Sequence, residues 1–163
     1  MVDWDKRKRI ANDIFEAVGL TPLVKLNKVT KGTRPVIAGK LEYFNPSGSL
    51  KDRILYRMVE AAEERGELKP GMTIIEGTTG NTGIATAMVG AAKGYKVIIV
   101  MPDGMSEERK KTIRAYGAEL VFVPGAESDV DLVLEKVQEI KAANPGRMWE
   151  VGQFSNPDNV EAH

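Results

Sequence analysis

Apolar positions along this chain keep two rhythms, and from about residue 50 onward the rhythms alternate. Runs without polar interruption, Val97-Ile98-Ile99-Val100-Met101 most plainly, read as strands covered on both faces. Longer stretches between them carry helical spacing and end at Gly or Pro. The pattern predicts a helix over about 50–65, ended before Gly66 and Pro70, and then strand Thr73–Glu76. A helix over about 81–93 ends at Gly94 and leads into strand Val97–Met101. Ser106 caps a helix to about Tyr116, with Glu107 and Glu108 in its first turn, where the helix dipole favours acids. Strand Glu119–Val123 follows, then a helix over about 129–143 stopped by Asn144-Pro145-Gly146, and Met148–Val151 makes a last strand.

Ahead of this alternation the signals are shorter. Residues 5–18 read as an amphipathic helix with Ile10, Ile14, Phe15 and Val18 on one side. Thr21–Leu26 is a short extended segment and Val36–Glu42 a strand. The whole predicts an α/β fold: an open, mostly parallel sheet with helices on both faces, in three layers. Connections should be right-handed, and ligands should bind outside the carboxyl ends of the strands.

Composition narrows the chemistry. At 163 residues the chain has the length of one ordinary domain. Lys plus Arg number 23 and Asp plus Glu number 23, so no global field draws nucleic acid or an anionic membrane. The lack of cysteine excludes disulfides and thiolate chemistry, and the single histidine, His163, argues against a zinc site and is assigned no role. Met1–Ile10 has basic residues but no long apolar region after them, so neither a secretory signal nor a membrane span is read there. A cytoplasmic protein is the expectation, with the Lys6–Arg9 cluster as a solvated helix face.

Two loops carry candidate chemistry. Lys51 follows Asn45-Pro46-Ser47-Gly48-Ser49-Leu50 at a helix start. Small residues there leave room for a planar ring, and Ser49 can cap the helix and fix where Lys51 points. A helix start disfavours positive charge, and a neutral amine is what Schiff-base formation requires. The bland alternative is one more solvated lysine beside Asp52 and Arg53. The second loop, Glu76-Gly77-Thr78-Thr79-Gly80-Asn81-Thr82-Gly83, is neither GxGxxG nor a Walker loop. It offers backbone N–H donors, hydroxyls and one amide, a set that suits a small carboxylate better than a pyrophosphate. Its alternative is an ordinary strand-to-helix turn with Thr and Asn capping.

With these two motifs in order, the chain resembles the cysteine synthase / cystathionine β-synthase family of fold-type II pyridoxal phosphate enzymes. Gly94-Tyr95-Lys96-Val97 through Met101-Pro102 and Tyr116-Gly117-Ala118-Glu119 add to the likeness, which covers about Ile14 to His163. The resemblance implies that Lys51 binds pyridoxal 5′-phosphate covalently and shuttles the α-proton, and that Asn81 bonds the phenolic oxygen of the cofactor. It implies that Thr78, Thr79, Gly80 and Thr82 grip the substrate carboxylate, assisted by Gln153, otherwise a plain loop glutamine. The implied reaction is β-replacement on serine or an O-activated serine by a thiol or sulfide. The family also implies a homodimer for the full-length form, with neither nucleic acid nor membrane as partner.

Family chains run to about twice this length in two domains. Residues 1–45 would then contribute to the larger domain and 46–163 would form the open-sheet unit holding the lysine and the carboxylate loop. The cofactor-phosphate loop would lie downstream of His163, so the chain reads as an N-terminal fragment, weak or inactive alone. Ser47 stands at a usual glycine, Gly77 at a frequent proline and Thr79 at a frequent serine, while Gly19-Leu20-Thr21-Pro22 lacks a usual Asn at its second position. Two rival readings are a serine/threonine dehydratase-type β-elimination and a catalytically silent α/β binding module. Dehydratase relatives tend to carry Ser-Phe-Lys-x-Arg, and Ser49-Leu50-Lys51-Asp52-Arg53 favours the synthase side.

Overall fold

The computed structural model describes residues 10–163. Its centre is a four-stranded parallel sheet of β3 (Thr73–Gly77), β4 (Lys96–Pro102), β5 (Glu119–Val123) and β6 (Met148–Glu150), in the order β5-β4-β3-β6. Helices α1 (Lys51–Glu64), α2 (Asn81–Lys93) and α3 (Glu107–Ala115) supply one apolar layer. Helix α4 (Val130–Ala143) supplies the other, and a short α5 (Asp158–Glu161) follows β6. The three-layer α/β expectation holds, and the predicted helices and strands of the sheet fall within a residue or two of their places.

Burial explains why the strands lack polar alternation. Ile74 faces the α1–α2 layer and Ile75 faces Val133 and Val137 of α4, and both are fully buried. Leu55, Met58 and Val59 of α1 pack with Val89 of α2 and Ile99 of β4 in the same core. At Gly77 an added Cβ would stand 2.9 Å from Val133 Cγ1 and 3.1 Å from Val137 Cγ2. Glycine at position 77 therefore lets α4 lie close against the end of β3.

The segment before α1 departs from expectation. The helix predicted over 5–18 falls partly on residues 1–9, which lie outside the described residues. From Ile10 onward it is not an α-helix: only Phe15–Ala17 forms a 3-10 turn. Asp13 Oδ1 takes the N–H groups of Phe15 and Glu16 at 2.9 and 3.1 Å, a local bond that competes with helix formation. Phe15 instead stacks on Tyr56 of α1, with ring centroids 4.7 Å apart. The strand predicted over Val36–Glu42 shortens to β2 (Ala38–Lys40), which pairs antiparallel with β1 (Leu23–Lys25) in a separate two-stranded sheet.

Candidate active site

Lys51 is the first residue of α1 and is half-buried. The predicted cap is displaced by one residue. Leu50 occupies the cap position without a side-chain bond, while Ser49 Oγ accepts the Lys51 N–H at 3.2 Å. Behind it, the fully buried Asp52 holds the loop by accepting the Ser47 N–H at 2.6 Å and the Ser47 hydroxyl. Burial pushes the Asp52 carboxyl up from its ordinary value, and the two Ser47 donors oppose that shift. Ser47 is thus the partner of a buried acid. Among the described residues the Lys51 ammonium has no hydrogen-bond or ion-pair partner.

A second layer ties this loop to the segment before it. Arg53 grips Glu42 with one edge of its guanidinium, Nε to Oε2 at 2.8 Å and Nη2 to Oε1 at 3.0 Å. Thr21 donates its hydroxyl to Glu42 Oε1 at 2.5 Å and Asn45 Nδ2 donates to Oε2 at 2.9 Å. Asn45 Oδ1 accepts the Gly19 N–H at 2.8 Å. The Arg53 hydrogen bond, followed by those of Thr21 and Asn45, overcomes desolvation and holds the Glu42 carboxyl down at about 2.

The Thr78–Gly83 turn leaves the carboxyl end of β3. Thr78 donates its N–H to Val100 O at 3.0 Å and accepts the Gly80 N–H on its hydroxyl at 3.2 Å. Gly83 has no room for a Cβ, which would stand 2.9 Å from Thr78 Cγ2 and 3.2 Å from Ile99 Cγ2. Thr82 is buried and donates its hydroxyl to Gln153 Oε1 at 2.7 Å. The turn and the glutamine lie 71 positions apart in sequence, so this contact depends on β6 pairing with β3. Thr79 is half-buried and Asn81, at the head of α2, is exposed, and neither side chain has a partner among the described residues.

Glu76, the penultimate residue of β3, is a participant that the sequence pattern did not single out. Its Oε2 accepts the Gly152 N–H at 2.9 Å, and Gln153 lines the same cavity beside it. Burial pushes its carboxyl up to about 8, with the Gly152 and Gln153 hydrogen bonds pulling back and Glu150 pushing further. The one available signal was an acid closing the apolar run Ile74-Ile75.

The two loops share one end of the sheet. Glu63, in the last turn of α1, takes the Lys93 ammonium at 2.6 Å and the Tyr95 hydroxyl at 2.7 Å, both at the finish of α2. Packed helices that finish together also start together. Lys51 and Asn81 therefore open their helices on the side of the strand carboxyl ends, where ligands of open α/β sheets bind. No hydrogen bond joins Lys51 to the turn. A cavity of about 790 Å³ lies elsewhere, beside β6 and lined by Arg65, Trp149 and Asn156, and includes none of the expected site residues.

Sequence and structure comparisons agree with this geometry. The chain is 47% identical over 152 residues to a cysteine synthase of Staphylococcus aureus, covering 93% of this chain and 48% of that protein. A crystal structure of a cysteine synthase from Entamoeba histolytica superposes with a TM-score of 0.91 at 47% identity, over 96% of this chain and 47% of that one. A hydrogen sulfide-producing enzyme from Fusobacterium nucleatum follows at a TM-score of 0.87 and 44% identity, over 95% of this chain and 50% of that one. The chain spans about half the length of the curated relatives it matches. Residues 14–163 match the family described as pyridoxal-phosphate dependent enzyme, and this chain belongs to that family.

Proposed function

We propose that this chain carries the lysine and the substrate-carboxylate side of a pyridoxal 5′-phosphate site for β-replacement on serine or an O-activated serine. The observation that carries the reading is the common start of α1 and α2. It sets a lysine ammonium with no partner among the described residues and the Thr78–Gly83 turn at the same end of the sheet. The residues fit the cofactor: a half-buried amine with no partner among the described residues, small residues leading up to it, and open Thr79 and Asn81 side chains nearby in the fold.

In this reading Lys51 would hold the cofactor and would take the α-proton of the bound amino acid. Asn81 donates to the phenolic oxygen of the cofactor. Thr78, Thr79, Gly80 and Thr82 orient the substrate carboxylate, and Gln153 steadies Thr82. When bound, the cofactor supplies the electron sink that lets the β-substituent depart. A thiol or sulfide would be the co-substrate that takes the place of that substituent. The cofactor-phosphate loop is assigned to the other half of the length seen in the relatives, as are full turnover and a homodimeric assembly. A cytoplasmic setting completes the proposal. It is supported by a cysteine-free sequence and by the lack, among the described residues, of a helix long and apolar enough to cross a membrane.

The test is borohydride reduction of the protein mixed with pyridoxal phosphate, followed by peptide mapping. A reduced adduct on Lys51, lost in Lys51→Ala, and a change in visible absorbance on adding serine or O-acetylserine are expected. Modification scattered over surface lysines, with no spectral answer to either amino acid, sinks the reading.

A further inference from the structure

We propose that Glu76 sets the direction of a hydrogen-bond chain, Glu76–Gln153–Thr82, and thereby decides whether Thr82 gives its hydroxyl proton to Gln153 or to a bound carboxylate. The proposal makes Glu76 a positioning residue, and it rests on the reading of the Thr78–Gly83 turn as a carboxylate subsite.

Consider which atoms each group can offer. An ionised carboxylate only accepts, a hydroxyl donates one proton and accepts, and a primary amide donates from one end and accepts at the other. Gln153 lies between Glu76 and Thr82. Its amide oxygen takes the Thr82 hydroxyl at 2.7 Å, and the rest of the side chain lines one cavity with Glu76. In that arrangement the single Thr82 hydroxyl proton is committed inward, and only oxygen lone pairs remain for a ligand. A carboxylate meeting those lone pairs is repelled.

The reverse arrangement needs a proton on Glu76. A neutral Glu76 keeps accepting the Gly152 N–H on one oxygen and donates from the other to Gln153 Oε1. The amide is then turned, its nitrogen donates to Thr82 Oγ1, and the Thr82 proton is released toward the ligand. The charge on Glu76 thus selects the orientation of the glutamine and the polarity of the hydroxyl beyond it. Gln153 lines a cavity of about 230 Å³ together with Glu76, which gives the amide space to turn.

The surroundings place this exchange near neutrality. Glu76 is 2% exposed, and its carboxyl is pushed up to about 8 by burial. Strand β4 sets Ile99 opposite it, and the first turn of α2 brings Thr82, Gly83 and Ile84, none of them charged. Strand β6 brings Glu150, which raises Glu76 further. Helix α4 directs Lys141 and Gln138 to Glu150, at 2.5 and 3.0 Å, and not to Glu76. No cation among the described residues bonds Glu76. At neutral pH the chain therefore stands in its ligand-accepting direction, and it reverses on the alkaline side.

Nuclear magnetic resonance of the 163-residue chain tests this without cofactor. The Glu76 carboxyl carbon and the Gln153 side-chain amide signals are followed from about pH 6 to about pH 10, across the range that burial gives this acid. Both should move together with a midpoint of about 8, and Glu76→Gln should flatten the Gln153 response. A Gln153 signal that stays flat while Glu76 titrates overturns the proposal, and so does a Gln153 response that survives in Glu76→Gln. The wild-type titration decides even where the variant fails to fold. Acetate serves as the carboxylate probe: its affinity at Thr82 should fall about fivefold across the range, the worth of one hydrogen bond, and stay level in Glu76→Gln. Equal acetate binding at both limits in the wild type also overturns the proposal. If acetate binds at neither limit while Gln153 titrates, the carboxylate subsite fails and the role of Glu76 toward a ligand fails with it. A missing Lys51 adduct alongside a titrating, acetate-binding turn instead removes the cofactor reading alone.

Discussion

The loop that presents Lys51 and the turn that presents Thr82 open neighbouring helices, but different forces hold them. Around Lys51 the framework is ionic: Glu42 is kept charged by Arg53, Thr21 and Asn45, at about 19% side-chain exposure. Around Thr82 the framework is hydroxyl, amide and a buried carboxyl that favours its neutral form. The difference follows from what each loop must resist. The lysine loop joins a segment with little regular structure of its own, so strong long-range pairs replace the missing core. The turn grows out of a central strand already fixed by β4 and β6, and its polar groups need only orientation. A charged partner there would lock the glutamine in one state.

Removing Asp52 should give the largest break between the two. Asp52→Ala leaves the Ser47 N–H and hydroxyl without their buried acceptor and costs about 3 kcal/mol. The thermal midpoint, read by circular dichroism, should fall by about 9 °C, whereas Gln153→Ala should move it by less than about 2 °C. Asp52→Asn keeps one acceptor and should lose about half as much. Comparable losses in Gln153→Ala would show that both loops depend on polar anchoring to the same degree.

Acid and alkali should then separate the regions by sign. The Glu42 carboxyl is lowered from 4.5 to about 2, so its stabilisation is complete above the ordinary value and is lost as pH falls through that window. Glu42→Gln should cost about 2 kcal/mol at neutral pH, and the variant and wild-type denaturation curves should converge near the acid end. The Glu76 carboxyl is raised from 4.5 to about 8, so its contribution is complete below the ordinary value and is lost as pH rises through about 8. Glu76→Gln should therefore be the more stable protein in alkali, by about 1–2 kcal/mol, with urea midpoints as the measure. Asp52 is raised as well and adds to the alkaline loss, and the single variants keep the contributions apart.

How much of this was legible beforehand follows the same division. Helix α2 and strand β5 could be read to the residue because periodicity and Gly94 are local signals, and Gly94 indeed takes φ +80° at the end of its helix. Lys51 and the turn stood out because their residue types are unusual for a bland loop. The glutamate partners did not. Glu42 meets Arg53 across 11 positions, Thr21 across 21, and Glu76 meets Gly152 across 76. No periodicity encodes such a pairing, which exists only once the sheet has formed. The helix expected over 5–18 failed for a local reason instead: Asp13 gives the Phe15 and Glu16 N–H groups a side-chain acceptor that competes with the helix carbonyls.

The smallest effect sharpens the comparison most, because it isolates what the ionic framework must bear. Leu20 has φ +47°, a left-handed conformation that costs a non-glycine residue about 1 kcal/mol, and it is 41% exposed, so it gains little burial in exchange. Its neighbours explain how the backbone is kept there. The Gly19 N–H is tied to Asn45 at 2.8 Å, and Thr21 is tied to Glu42 at 2.5 Å. The two bonds hold both ends of a residue that would otherwise relax. Asn tolerates this conformation far better than Leu, so Leu20→Asn should stabilise the protein by about 0.5–1 kcal/mol, read as a rise of about 2–3 °C in midpoint. Leu20→Ala keeps the backbone cost and should give no gain. In a Glu42→Gln background one clamp is weakened and the strain is partly released already, so the benefit of Leu20→Asn should shrink. An undiminished benefit would mean that the Leu20 backbone is held by something other than the Glu42 network.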